Sequence, residues 1–120
     1  MNLENEMIKN GAREIPINDL QAIPGSGGVY FLCSACRIKY IGQSGMLRTR
    51  ITGHRDKGKK FCRVFIILYP GRERLNYERF FIDQYKPRLN NHLHERNILS
   101  SREKKVALLR KLIDLKVGNI

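Results

Sequence analysis

At 120 residues the chain has room for one compact domain, and its 42% hydrophobic content suits an ordered core rather than a disordered polyelectrolyte. Its longest apolar run, residues 64–69, is too short to cross a bilayer. The formal net charge of +12 predicts attraction to a polyanion, either nucleic acid or an anionic membrane surface.

A membrane-bound reading would set basic residues against a lipid-facing apolar stripe. Here they gather in mid-chain instead, at Arg37, Lys39, Arg48, Arg50, Arg55, Lys57, Lys59, Lys60 and Arg63, with Asp56 the acid among them. Nucleic acid is therefore the expected partner and a membrane is not. The polar N-terminus carries no basic leader followed by an apolar core, so no signal peptide is expected. Three cysteines cannot all pair with one another. Cys33 and Cys36 have the separation used in zinc and redox motifs. A zinc site would also need Cys62, His92 or His94 brought in by a long loop closure. Ordinary thiols in the cytoplasm, or another reducing intracellular compartment, are the simpler expectation.

Along the chain, residues 1–14 lack a persistent period and read as a flexible arm or a short irregular helix. Residues 18–23 allow one helical turn before Pro24. Pro24-Gly25-Ser26-Gly27-Gly28 is a tight approach to a strand over residues 29–33, and residues 38–41 form a second strand. A connection this short makes the two antiparallel neighbours. A helix follows to about His54, with Leu47 and Ile51 inward. Arg50 and His54 stand one turn apart on the same side of it.

Residues 61–69 are the most strand-like segment, and their continuous apolar run predicts a central strand buried on both faces. Pro70-Gly71 turns the chain into a helix over residues 73–85, closed by Pro87. Leu75, Ile82 and Tyr85 are expected on its inward stripe, Phe81 at the margin, and Glu78 at the same inward spacing. A carboxylate buried there without a partner would be costly. A last amphipathic helix is expected over residues 101–116, packed on the domain, with a homodimer contact as the alternative. The fold class is α+β, a small three-stranded, mainly antiparallel sheet flanked by helices.

Two short motifs, Gly28-Val29-Tyr30 and Tyr40-Ile41-Gly42, are followed by Arg50 and His54 on one helix and Glu78 on the next. In these features the chain resembles the GIY-YIG nuclease domain family, over about half its length from Gly28 to Asn90. The resemblance implies a nuclease core over residues 24–92, between an arm over 1–23 and a helical extension over 93–120. It implies an endonuclease that leaves 5′-phosphate and 3′-hydroxyl ends. Tyr30, Tyr40, Arg50, His54 and Glu78 would be catalytic, and Asn90 matches a polar residue beside the site. Gln43 and Ser44 depart from the lysine that many repair-type relatives carry after the second motif.

The residue chemistry agrees with that assignment. Phosphodiester hydrolysis needs an activated water, stabilised phosphoryl charge and a protonated leaving oxygen. Glu78 offers the hard oxygen expected for Mg2+ or Mn2+, and a single carboxylate argues for one metal. Arg50 can give two hydrogen bonds to the scissile phosphate. A free phenol titrates near 10, so neither tyrosine is a good base without help. The resemblance favours Tyr30 as the proton acceptor, with Tyr40 orienting water or phosphate and His54 assisting. Arg48, Arg55, Lys57, Lys59, Lys60 and Asn90 are the expected nucleic-acid contacts. DNA is favoured over RNA, although positive charge alone does not distinguish them. The competing function is a non-catalytic nucleic-acid-binding module of the same shape.

Overall fold

Strong alternation of side chains between two covered faces organises this molecule. The computed structural model describes residues 2–90. The helix expected over 101–116, the extension over 93–120, and His92 and His94 lie outside the described residues. The described elements are α1 (Leu3–Lys9), β1 (Arg13–Ile15), β2 (Gly28–Cys33), β3 (Ile38–Ser44), α2 (Leu47–Asp56), β4 (Arg63–Leu68) and α3 (Glu73–Tyr85), with short 3-10 turns at Leu20–Ala22 and Arg88–Asn90.

The strands form one antiparallel sheet in the order β1-β4-β2-β3. All six residues of β2 are buried because helices cover both faces. Val29, Phe31, Cys33, Phe65 and Ile67 point toward α1 and α3 and pack with Leu3, Met7, Phe81 and Ile82. Tyr30, Leu32, Val64 and Ile66 point the other way and pack with Leu47 and Ile51 of α2. Phe31 and Phe81 meet edge to face, their centroids 5.2 Å apart, which anchors α3. Truncating Phe81 to Ala would remove about 3–5 kcal/mol.

The expected α+β architecture is present with a fourth strand. β1 pairs Arg13, Glu14 and Ile15 with Ile66, Phe65 and Val64. Its three residues bury only the last, so no alternation marks them in the sequence. The preceding residues form α1, which buries Leu3 and Met7 in the α3-side core, so this segment packs on the sheet. On α3 the inward stripe is rotated from the expected one. Phe81 and Ile82 are buried, whereas Leu75 is 47% exposed.

The β2–β3 hairpin carries a register shift. Leu32 pairs with Tyr40 and Cys33 with Ile38, which leaves Lys39 as an extra residue. The extra residue lets Ile38 and Ile41 face α3 while Tyr40 turns toward α2, the face that already holds Tyr30.

Candidate active site

Tyr30 is a buried tyrosine, 1% exposed, on a central strand. A buried phenol needs a polar partner, and α2 supplies one. The hydroxyl lies 2.7 Å from His54 Nε2. His54 is brought there because Ile51 and Leu47, one and two turns earlier on α2, are fully buried against the sheet. Tyr40 completes the group, with its ring centroid 6.1 Å from Tyr30 and 5.0 Å from His54.

Both motif glycines are there for space. Gly42 is the register partner of Tyr30, and a Cβ on it would stand inside the Tyr30 ring and hydroxyl. A Cβ on Gly28 would run into the Ile67 carbonyl and the Leu47 side chain. Neither has a positive φ; among the described residues the positive-φ glycines are Gly11 and Gly58.

Arg50, one turn before His54, is exposed. With His54 and Lys57 it lines a groove of about 410 Å3, completed by Ser44, Gly45, Met46, Thr49 and Gly53. Among the described residues its side chain forms no ion pair or hydrogen bond. Glu78 reaches the same corner from α3. Its charge acts on Tyr40 and Tyr30, and Arg50 acts on all of Tyr30, Tyr40, His54 and Glu78.

The electrostatics follow from burial. Burial first, and then the neighbouring Tyr40, push the Tyr30 phenol up, with Arg50 opposing. Burial and Glu78 also raise Tyr40. His54 is pushed down to about 4, by burial first and then by Lys59, Arg50 and Lys57. Its imidazole is therefore neutral at pH 7. Burial raises the Glu78 carboxyl, while Arg79, the Gln43 amide and Arg50 draw it back. Among the described residues Glu78 has no ion-pair partner.

Five sequence-selected residues thus come together, whereas the expected nucleic-acid contacts separate. Lys57 lines the groove and Lys60 is exposed. Arg55 is exposed beside Asp56 at 3.8 Å. Arg48 gives its Nε to the Ile23 carbonyl at 2.8 Å, pinning the segment before β2. Lys59 lies over the Tyr40 ring, with Nζ 3.7 Å from the centroid. Asn90 faces inward. It is 0% exposed, accepts from the Ile41 amide at 2.9 Å and donates to the Ile41 carbonyl at 3.0 Å. In effect it pairs with β3 as another strand would, and holds the Tyr40-Ile41-Gly42 segment. Arg63 is also withdrawn from the basic cluster, bound to Glu14 at 2.8 Å and Glu4 at 3.0 Å.

Sequence reasoning did not single out Arg74. It gives its Nε to Gln43 Oε1 at 2.9 Å and ties the end of β3 to α3. Cys33 is buried and its thiol pushed up to about 12, chiefly by burial, while Cys36 and Cys62 are exposed and free. Among the described residues no three His, Cys, Asp or Glu side chains converge to hold a metal, and no helix is long and apolar enough to cross a membrane.

Neither a family model nor a curated protein matches the sequence. Solved structures do match. One is the N-terminal GIY-YIG endonuclease domain of UvrC from Thermotoga maritima, a point mutant bound to its catalytic divalent cation. It has a TM-score of 0.54 and 21% identity, over 59% of this chain and 89% of that one. The same domain with magnesium bound gives 0.52 and 21%, over 59% and 90%. The fold is that of a GIY-YIG nuclease domain. Within this fold Tyr30 and Tyr40 occupy the hairpin, Arg50 and His54 the helix behind it, and Glu78 the helix at its edge. The described donor set suits one hard divalent cation held by Glu78, half-buried and without an ion pair, with other oxygens completing the shell. It does not suit a two-metal site built from protein ligands.

Proposed function

We propose that this chain is a divalent-metal-dependent DNA endonuclease that hydrolyses phosphodiester bonds to 5′-phosphate and 3′-hydroxyl ends. The observation that carries the reading is the 2.7 Å contact between Tyr30 and His54, beside the groove that Arg50 and Lys57 line. A buried phenol in contact with a neutral imidazole, next to positive charge that no ion pair among the described residues neutralises, is suited to moving a proton near a phosphate.

Arg50 clamps the scissile phosphate and stabilises charge on its oxygens as the transition state forms. Burial makes the Tyr30 phenol harder to ionise than a free one, so it is not deprotonated in advance. The route that avoids this is a relay. As the attacking water forms its P–O bond, its proton passes to the Tyr30 oxygen and the Tyr30 proton passes to His54 Nε2. The P–O3′ bond breaks, the leaving O3′ takes a proton from solvent water to become the hydroxyl, and the His54 imidazolium returns its proton to solvent. The relay requires the His54 tautomer with its proton on Nδ1, so that Tyr30 donates and Nε2 accepts.

His54 is a weak acceptor in the free protein partly because Lys59, Arg50 and Lys57 surround it with positive charge. A docked phosphodiester offsets those charges and makes the imidazole more basic when substrate is present. Tyr40 orients water or phosphate. Glu78 would hold Mg2+ or Mn2+, which supplies positive charge against the phosphoryl oxygens when bound.

The test is incubation of the purified chain with supercoiled plasmid and Mg2+ or Mn2+. Nicks that DNA ligase reseals support the reading, because ligase needs a 5′-phosphate beside a 3′-hydroxyl. Salt-dependent DNA binding with no cleavage of duplex, branched or single-stranded substrates would favour a binding module instead.

A further inference from the structure

The geometry points to Lys59 as a positioning residue that holds the Tyr40 ring against His54, in place of the phosphate contact its charge suggests. This rests on the nuclease reading above.

The placement begins with how α2 stops. Lys57 caps the helix, and Gly58 follows in the left-handed region at φ +85°. The Lys59 amide then donates back to the His54 carbonyl at 3.1 Å. This is the helix stop that a glycine with positive φ permits, and it folds the chain back toward its last turn. Lys59 is thereby fixed to the backbone of His54 itself. Its ammonium lands on the face of Tyr40, 3.7 Å from the centroid, a distance at which the ring quadrupole attracts a cation.

A second tie runs the other way. Lys39, which precedes Tyr40 and is the extra residue of the hairpin, donates Nζ to the Lys60 carbonyl at 2.6 Å. Two adjacent residues of β3 therefore grip two adjacent residues after α2. A lysine serving only DNA phosphates needs its ammonium in solvent. Lys59 is instead half-buried on a ring that touches the proton relay.

The charged and titratable groups around His54 are Tyr30 from β2, Tyr40 from β3, Arg50 from α2, and Lys57 and Lys59 after it. Of the three cations, Lys59 alone among the described residues stacks on a site tyrosine. It has two effects. It sets the Tyr40 ring, and its charge lowers the basicity of the His54 imidazole while no phosphate is docked.

The experiment compares Lys59→Met and Lys59→Arg in the full chain by NMR of the labelled His54 and Tyr40 rings, beside steady-state cleavage. Lys59→Met should raise the pH at which His54 titrates and shift the Tyr40 ring signals. It should also lower kcat about tenfold while KM for DNA moves less than about threefold. Lys59→Arg, which restores a cation over the ring, should recover most of each change. Gly58→Ala strains the turn but keeps the ammonium, and should disturb the same ring signals. Unchanged His54 titration and Tyr40 signals in Lys59→Met would overturn the assignment. So would a loss confined to KM together with a salt dependence reduced by about one phosphate contact. The NMR arm reads without cleavage. An inert wild type would therefore sink the nuclease reading while the ring signals still decide the role of Lys59.

Discussion

The Tyr30 ring lies over Gly42, its partner across the β2–β3 ladder, so closely that a Cβ there would occupy the phenol's own space. The ring is fully buried between strands and α2 and has nowhere to retreat. Gly42→Ala should therefore cost about 1–3 kcal/mol by overpacking, read as a lower Tm. It should also break the Tyr30–His54 contact and with it cleavage. An unchanged Tm would mean that Tyr30 is more loosely held than its burial indicates.

If Tyr30 and His54 act as the proposed relay, their substitutions should not add. Tyr30→Phe keeps the buried ring and removes only the hydroxyl, so the fold should survive while the rate falls about 100-fold. His54→Gln should fall comparably, and the double variant little further. A double variant whose losses multiply would show that the two side chains work independently.

Much of this arrangement was legible in the sequence. The residue spacing located the hairpin, the Arg50–His54 turn and the Glu78 helix, because strand and helix periods survive in a single chain. Three kinds of feature did not show. β1 is too short to alternate, and borrows its stability from β4. Asn90 looks like a loop polar residue until the fold places it against the Ile41 backbone, 49 positions away in sequence. Charge density placed Lys59 and Arg63 in one basic cluster, but could not show that Lys59 lies on the Tyr40 ring and that Arg63 binds Glu14 and Glu4. Gly58 was the one local signal for Lys59, since a glycine after a helix marks a stop that turns the chain back.

His54 titrates at about 4 in the folded protein against an ordinary 6.5, so the folded state resists its protonation. Between those values the unfolded chain binds the proton and the native state does not. Stability from this group is present above the ordinary value and is lost as pH falls toward 4. Tm measured from pH 7 to 4 should fall more steeply in wild type than in His54→Gln. Cleavage by the free enzyme should show no acid limb from this histidine between about pH 5.5 and 8. A limb near 6.5 would mean that His54 is solvated.

Asn90 satisfies both backbone groups of Ile41 in a fully buried position. Asn90→Ala leaves that amide and carbonyl unpaired, at about 1–3 kcal/mol for each group. Chemical denaturation should show the loss, and hydrogen exchange should locate it at the Ile41 amide. Normal stability together with weaker DNA binding would return Asn90 to the nucleic-acid surface.

In the proposed reaction Glu78 and Arg50 direct metal-dependent hydrolysis at the Tyr30–His54 pair. Its most direct measurement is cleavage of supercoiled plasmid in Mg2+ by wild type, Glu78→Gln and Arg50→Ala, purified side by side and matched for folded content. Wild type should nick the plasmid and stop on chelation, while both variants remain folded and lose at least about 100-fold in rate. Cleavage that survives Glu78→Gln or the chelator, or a folded wild type that leaves the plasmid intact, would contradict the account.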